Sequence, residues 1–188
     1  LIDVVAKQIY GNILGGRFQR IISNPDWIPD FYDPQRVGGP MIDLHIHDLH
    51  LIAMLFGLPK SVTAVGRMRG SVAEFAHVLY RFDRSDWTVA STSGVTPSAG
   101  RPFTHGFEVQ LERAVVQFDF AAYSDQPETL PLKVLTAEGQ VLRPELPSSD
   151  DITAFENELN AMSECLLGAN MPSALSAESA LQATRLAE

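Results

Sequence analysis

The chain has 188 residues, 45% of them hydrophobic, which suits a single domain with one substantial core. Its formal net charge of −9 argues against nucleic acid as a partner, because binding to a phosphate backbone needs a basic surface. No uninterrupted apolar run approaches the ~18 residues that a membrane span requires, so no membrane span is expected.

The cysteine content and the first residues suggest the cellular compartment and the extent of the protein. Cys165 is the only cysteine, which excludes an internal disulfide and favours a reducing, cytoplasmic compartment. The sequence begins without Met at Leu1, in the middle of a helical pattern. We therefore expect residues 1–188 to form one domain of a longer protein.

The first predicted elements are a helix, a strand and a long loop. Apolar spacing indicates a helix over 1–14 and a strand over 17–23, and three prolines mark a loop over 24–37. Trp27 and Arg36 lie in that loop. Because a loop of this length inside a compact domain is often functional, both are candidate substrate contacts, although a packed surface loop is the plainer interpretation.

Residues 40–56 are predicted to form the central helix of the chain. Pro40 suits a first helical turn, where no backbone N–H is needed, and Gly57 followed by Pro59 suits a helix end. Apolar residues surround most of the helix, so it should be buried.

Three polar side chains of this helix share one stripe. At about 100° per residue, Asp43, His47 and His50 align, whereas His45 points away and is expected to be an ordinary structural histidine. Buried polar groups must be paired or must serve a ligand, so the stripe indicates the wall of a cleft. Two other interpretations stay open: the carboxylate and the imidazole four residues later can simply hydrogen-bond each other, or a His/Asp cluster can ligate a metal.

After the helix the pattern changes to short strands separated by turn residues. Strands are predicted at 61–68, 73–82, 87–92, 107–112, 114–120, 132–136 and 140–142, with a mobile loop at 93–106, a linker at 144–151, and helices at 151–167 and from Ser176 to the end. His77 and His105 are expected to be structural. This order predicts an α+β fold with a large, mainly antiparallel open sheet and helices on one face.

The predicted strands carry more apolar side chains than one covered face needs. A large exposed apolar patch usually marks an interface, so we expect a homodimer or homotetramer formed through the open sheet face. The residues behind this expectation are Val62, Ala64, Phe75, Leu79, Val109, Leu111, Val116 and Phe118.

One motif resembles a known family. Gly38-Gly39-x-x-x-Asp43-x-x-x-His47-Asp48-Leu49 is similar to the signature helix of the glucose–fructose oxidoreductase / inositol dehydrogenase (Gfo/Idh/MocA) family. Weaker similarities to its C-terminal domain lie at 11–15, 56–62 and 155–181.

The resemblance implies a substrate-binding and oligomerisation domain of an NAD- or NADP-dependent oxidoreductase that acts on a sugar, polyol or related secondary alcohol. The chain contains no Gly-x-Gly-x-x-Gly, so the Rossmann domain and the cofactor-binding residues are expected to lie outside it, and the domain alone is expected to be inactive. A non-catalytic binding or assembly domain of the same family is the first alternative, and a metal-dependent hydrolase with His45 and His47 as ligands is the second.

The resemblance also implies roles for the central histidine and its partner. His47 corresponds to the proton acceptor and Asp43 to the carboxylate that assists it. The family often carries a carboxylate at the position of His50, which is therefore a candidate substrate contact together with Arg36 and Trp27. An imidazole such as that of His47 suits a proton acceptor, because its reference pKa of ~6.5 lies near working pH. No metal is expected.

Overall fold

The computed structural model describes residues 1–84, 86–145 and 151–187. Its helices are α1 (Ile2–Ala6), a π-helical turn (Met41–His45) that runs directly into α2 (Ile46–Phe56), α3 (Asp151–Leu166), a short 3-10 turn (Ser173–Leu175) and α4 (Ala177–Ala187). Its strands are β1 (Ile13–Ser23), β2 (Ser61–Arg69), β3 (Val72–Arg81), β4 (Thr88–Thr96), β5 (Phe103–Leu111), β6 (Ala114–Ala122), β7 (Pro127–Thr136) and β8 (Val141–Leu142).

The eight strands form one open sheet in the order β2-β3-β4-β1-β5-β6-β7-β8. Strand β1 pairs in parallel with β4, and the other neighbours are antiparallel. The predicted α+β class with a large, mainly antiparallel sheet is therefore confirmed. The sequence did not predict that β1 lies at the centre, between two strands that follow it by more than 60 residues.

Two of the predicted local structures are wrong. Helix α1 ends at Ala6, and the rest of the predicted helix over 1–14 is a turn followed by β1, which begins at Ile13. The predicted mobile loop over 93–106 is also much shorter, because β4 continues to Thr96 and β5 begins at Phe103. The linker predicted at 144–151 falls largely on 146–150, outside the described residues.

The hydrophobic core lies between α2 and one face of the sheet. Phe18 of β1 is almost fully buried and packs edge-on against Phe56 of α2, with ring centroids 6.4 Å apart. Strand residues opposite or two apart from Phe18 share its face because side chains alternate along a strand. The buried members of this core include Leu49, Ile52, Leu55, Val78, Val89, Val109 and Val116.

The strand register shows that fewer apolar residues lie on the open face than the sequence predicted. Val109 pairs with Gly16 and Val116 pairs with Val109, so these side chains lie on the helix-covered face, where both are buried. Of the residues behind the expectation, Phe75 and Leu79 face the open side. The centre of the open face carries polar side chains instead: Arg17, Gln19, Glu108, Gln117 and Asp119.

The two closing helices differ in their packing. Helix α4 lies against α2 and buries Ala183. Ser176 caps its start as predicted, because the Ser176 Oγ accepts a hydrogen bond from the Ser179 N–H at 3.2 Å. Helix α3 exposes its apolar side, with Phe155 and Leu159 each about two-thirds exposed.

Candidate active site

The helix that carries the histidines begins with a widened turn. Gly39, at φ 72°, accepts a backbone hydrogen bond from Asp43, and Met41–His45 then forms a single π-helical turn before the chain continues as α2. Gly57, at φ 78°, ends the helix as predicted. Single π turns recur at functional sites because the extra residue per turn re-aims the side chains that follow.

His45 points into the protein and is fully hydrogen-bonded. Its Nδ1 lies 2.8 Å from Ser93 Oγ and its Nε2 lies 2.9 Å from the hydroxyl of Tyr80, which also contacts Ser91 Oγ at 2.6 Å. Burial lowers the pKa of His45 to about 4, so this imidazole is neutral at working pH. The expectation of a structural histidine at this position is confirmed.

His47, in contrast, remains exposed to solvent. Desolvation of the ring lowers its pKa, and so does the positive charge of Arg20. The carboxylate of Asp43 and a hydrogen bond to the Asp43 backbone act in the opposite direction. The structure therefore brings Asp43 and His47 together, and the imidazole is favoured in its neutral, proton-accepting form.

An ion pair that sequence reasoning missed lies beside His47. Arg20 of β1 contacts Asp48 Oδ1 at 3.1 Å, and both side chains are mostly buried on the helix-covered face. Asp48 Oδ2 is buried and has no hydrogen-bond partner among the described residues, and burial raises the pKa of this carboxyl. Asp48 belongs to the signature motif, but nothing local in the sequence indicates that its partner is a residue 28 positions earlier.

Of the remaining predicted substrate contacts, His50 is close enough to His47 for its charge to lower the pKa of that ring. His50 Nε2 lies 3.2 Å from Ser179 Oγ of α4, so this histidine joins the two helices. Trp27 is 67% exposed on the loop after β1. Arg36 forms an ion pair with Asp30 within the same loop. Their roles as substrate contacts stay predictions.

The geometry does not favour the metal-hydrolase alternative. Both ring nitrogens of His45 are engaged by hydroxyl groups in the core, whereas His47 is exposed. Across the part of the chain that the structure describes, no three His, Cys, Asp or Glu side chains converge in a way that could hold a metal ion.

The comparison with protein families decides the class. Residues 1–117, which include the sheet centre and the whole histidine helix, match the model of the GFO/IDH/MocA C-terminal domain. The chain belongs to this family. The resemblance of the signature helix is thereby confirmed. No curated protein matches the sequence.

Solved structures of this family share the fold. The chain aligns with aldose-aldose oxidoreductase from Caulobacter crescentus complexed with glycerol at a TM-score of 0.74 and 21% identity, over 98% of this chain and 54% of that one. It aligns with apo scyllo-inositol dehydrogenase from Lactobacillus casei at 0.66 and 21%, over 99% and 54%. A levoglucosan dehydrogenase in complex with NADH and levoglucosan gives 0.64 and 16%, over 96% and 56%.

These values delimit the similarity. At this identity the structures establish the common fold, and the chain spans little more than half the length of each of them. Within the described residues, none of the helices has the length and apolar character needed to cross a membrane.

Proposed function

We propose that this chain is the substrate-binding and oligomerisation domain of an NAD- or NADP-dependent oxidoreductase that acts on a secondary alcohol of a sugar, polyol or related compound. The observation that carries the proposal is the accessible imidazole of His47 beside Asp43, on the signature helix of the family. The names of the solved relatives, which include an aldose-aldose oxidoreductase and a levoglucosan dehydrogenase with NADH, support the substrate and cofactor classes.

The side chains of this domain fit the proton half of such a reaction. Oxidation of an alcohol to a carbonyl requires removal of the hydroxyl proton, and His47 accepts it as general base. Asp43 stabilises the imidazolium that forms, while desolvation of the ring and, after it, the charge of Arg20 lower the pKa of His47 and favour a neutral resting ring. When bound, the nicotinamide supplies the hydride chemistry. The chain has no glycine-rich phosphate loop, so we assign the dinucleotide to an N-terminal domain of the full-length protein.

The proposal also covers the substrate contacts, the domain bounds, the cellular compartment and the oligomeric state. His50, Arg36 and Trp27 remain candidate substrate contacts, residues 1–188 are taken as one domain, and the protein is placed in the cytoplasm as a homodimer or homotetramer. The isolated domain should be inactive and should show no micromolar affinity for NAD(H) or NADP(H) in titration calorimetry.

Substitution of His47 in the full-length protein tests the proposal. His47→Gln should lower kcat by about 10²–10⁴-fold, the usual loss for a positioned general base, and Asp43→Asn should lower it less. His77→Gln is the matched control, because His77 is an exposed histidine on the open sheet face, bonded to Thr92. A His47→Gln enzyme that retains wild-type turnover contradicts the assignment, and a wild-type protein without dehydrogenase activity favours the non-catalytic assembly domain.

A further inference from the structure

A buried group of hydroxyls holds the ring of His45 beneath the histidine helix. The Tyr80 hydroxyl lies 2.9 Å from His45 Nε2 and 2.6 Å from Ser91 Oγ. On the other side of the ring, His45 Nδ1 lies 2.8 Å from Ser93 Oγ. All four side chains are at most 4% exposed. We call these four residues the buried network.

The sheet fixes the hydroxyl groups of the buried network. Tyr80 belongs to β3, and Ser91 and Ser93 belong to its neighbour β4. Both serines lie opposite core residues of β3, Val78 and Ala76, on the helix-covered face. A neutral imidazole has one N–H donor and one acceptor nitrogen, so a hydroxyl group at each nitrogen satisfies the ring and sets its orientation. The sheet therefore determines where this ring lies.

The buried network is attached to the end of the π-helical turn. His45 is the last residue of that turn, which packs against β4. Isolated π turns are rare, so contacts outside the helix are needed to hold one open. Gly39 supplies the left-handed backbone before the turn, and His45 ties the other end of the turn to the sheet.

The same turn carries the residue that acts on His47. Asp43 lies within the turn, two residues before His45, and His47 follows two residues after it. The His47 ring hydrogen-bonds to the backbone of Asp43 and is also influenced by the Asp43 carboxylate. A ring nitrogen that donates to the backbone leaves the other nitrogen as the proton acceptor. Relaxation of the turn to an α-helix would change the angle between the two residues and disturb this arrangement.

We propose that Tyr80 and Ser93 are positioning residues of the candidate active site. Through His45 they hold the π-helical turn open, and the turn fixes Asp43 against His47. The inference deepens the proposed function and rests on it for the effect on turnover, whereas the effect on the His47 ring is measured without turnover.

The experiment removes one hydroxyl group at a time from the full-length protein. Tyr80→Phe and Ser93→Ala each delete one hydrogen bond to His45. Thr104→Val is the matched control, because Thr104 is also buried in the sheet but its Oγ1 has no hydrogen-bond partner among the described residues. Circular dichroism establishes that each variant is folded, and the two independent deletions keep the test valid if one of them does not fold.

Kinetics should separate positioning from substrate binding. Loss of either bond should lower kcat about 10- to 100-fold, the range for a small misplacement of a reacting group. KM should change less than about twofold, because side chains buried this deeply do not touch a substrate. Thr104→Val should leave both constants unchanged.

The pKa of His47 should report the position of the turn. The charged groups that act on this ring are Arg20, Asp43 and His50. Of these, Asp43 alone raises the pKa, so a looser turn should lower it and move the rising limb of kcat/KM to lower pH. NMR titration of histidine-labelled protein gives the same pKa without turnover, with the His47 signal identified by its loss in His47→Gln.

A double variant tests whether Tyr80 acts through His45. In His45→Ala/Tyr80→Phe, the tyrosine substitution should change neither kcat nor the His47 pKa beyond the values of His45→Ala alone. Effects that simply add would overturn the inference. So would an unchanged His47 pKa in both Tyr80→Phe and Ser93→Ala, or a KM that rises while kcat stays constant.

Failure of the proposed function looks different. A full-length protein without dehydrogenase activity, in which the His47 pKa still falls in Tyr80→Phe and Ser93→Ala, leaves the anchored turn standing and removes the dehydrogenase assignment.

Discussion

His45 and His47 are two residues apart, yet one is buried and hydrogen-bonded and the other is exposed. His45 has both nitrogens bonded to hydroxyl groups in the core, whereas His47 is accessible beside a carboxylate. The helical angle predicted that the two would diverge. It did not predict the partners of His45, because Tyr80 and Ser93 lie 35 and 48 residues away and only the sheet register brings them under the helix.

The buried imidazole of His45 makes stability depend on pH. Its pKa is about 4 in the folded chain and ~6.5 when unfolded, so the unfolded state binds the proton first as the pH falls. The stabilisation is complete above pH ~6.5 and is lost as the pH falls towards 4. We expect His45 to account for a loss of about 3 kcal/mol in the free energy of unfolding between pH 7 and 4.

Urea unfolding of the 188-residue chain measures this effect. His45→Gln should be less stable than wild type at pH 7, with a smaller loss on acidification. The comparison cancels the contributions of other groups, such as Asp48, whose pKa is raised by burial. His77→Gln should follow the wild-type curve, and a His45→Gln curve parallel to it would contradict the prediction.

Arg20 should set the pH at which His47 becomes a base. Its positive charge disfavours the imidazolium and so lowers the pKa of His47, in addition to the larger effect of desolvation. In Arg20→Gln that repulsion is gone and the pKa of His47 should rise. Since the proposed general base acts as the neutral ring, the rising limb of kcat/KM against pH should move to higher pH.

Arg17→Gln is the control for this measurement. Arg17 lies on the opposite sheet face, three residues before Arg20, and is paired with Glu108 at 3.9 Å. Its removal should leave the limb in place. An Arg20→Gln limb that stays in place, or that moves to lower pH, would contradict the prediction that Arg20 lowers the pKa of His47.

Among the helices and strands, the sequence predicted correctly the helix ends and hairpins that depend on neighbouring residues. Pro40 and Gly57 marked the ends of the central helix correctly, and the hairpins between β2, β3 and β4 followed from alternation and turn residues. The π-helical turn was not predicted, because over five residues its period is indistinguishable from that of an α-helix. Residues 7–14 were misassigned because their apolar spacing fits a helix as well as it fits a turn and the start of β1.

The start of the histidine helix depends on one glycine. Gly39 has φ 72°, and a Cβ at this position would collide with Val72 Cγ1 of β3. Gly39→Ala should therefore combine about 1 kcal/mol of backbone strain with about 1–3 kcal/mol of overpacking, measured as a loss in the free energy of unfolding.

Gly70→Ala separates the two costs. Gly70 has φ 63°, and a Cβ there would meet nothing within 4 Å among the described residues. This variant should lose only the backbone cost, about 1 kcal/mol. Equal losses in the two variants would mean that the approach of β3 does not fix the start of the helix. If the proposed activity is right, Gly39→Ala should also lower the kcat of the full-length protein, because Asp43 and His47 follow directly from this turn.

On the scale of the whole molecule, two apolar surfaces lie outside the core. One is the part of the open sheet face formed by Val65, Phe75 and Leu79 near the β2 edge. The other is the exposed side of α3, with Phe155 and Leu159. The sequence predicted an apolar open face from the number of apolar strand residues, but it could not distinguish the two faces without the register. Three of those residues, Val109, Leu111 and Val116, are buried on the face that carries the helices.

Assembly should therefore depend on the apolar edge of the open face rather than on its polar centre. Leu79 is 60% exposed there, and Leu79→Arg would place a charge in the contact between two copies. Light scattering at micromolar concentration should give a dimer or tetramer for the 188-residue chain and a monomer for Leu79→Arg. Leu58→Arg, at a similarly exposed leucine after α2, should assemble like wild type. A wild-type mass near 20.6 kDa would rule out assembly through the sheet, and an oligomer that survives Leu79→Arg would point to α3 as the contact.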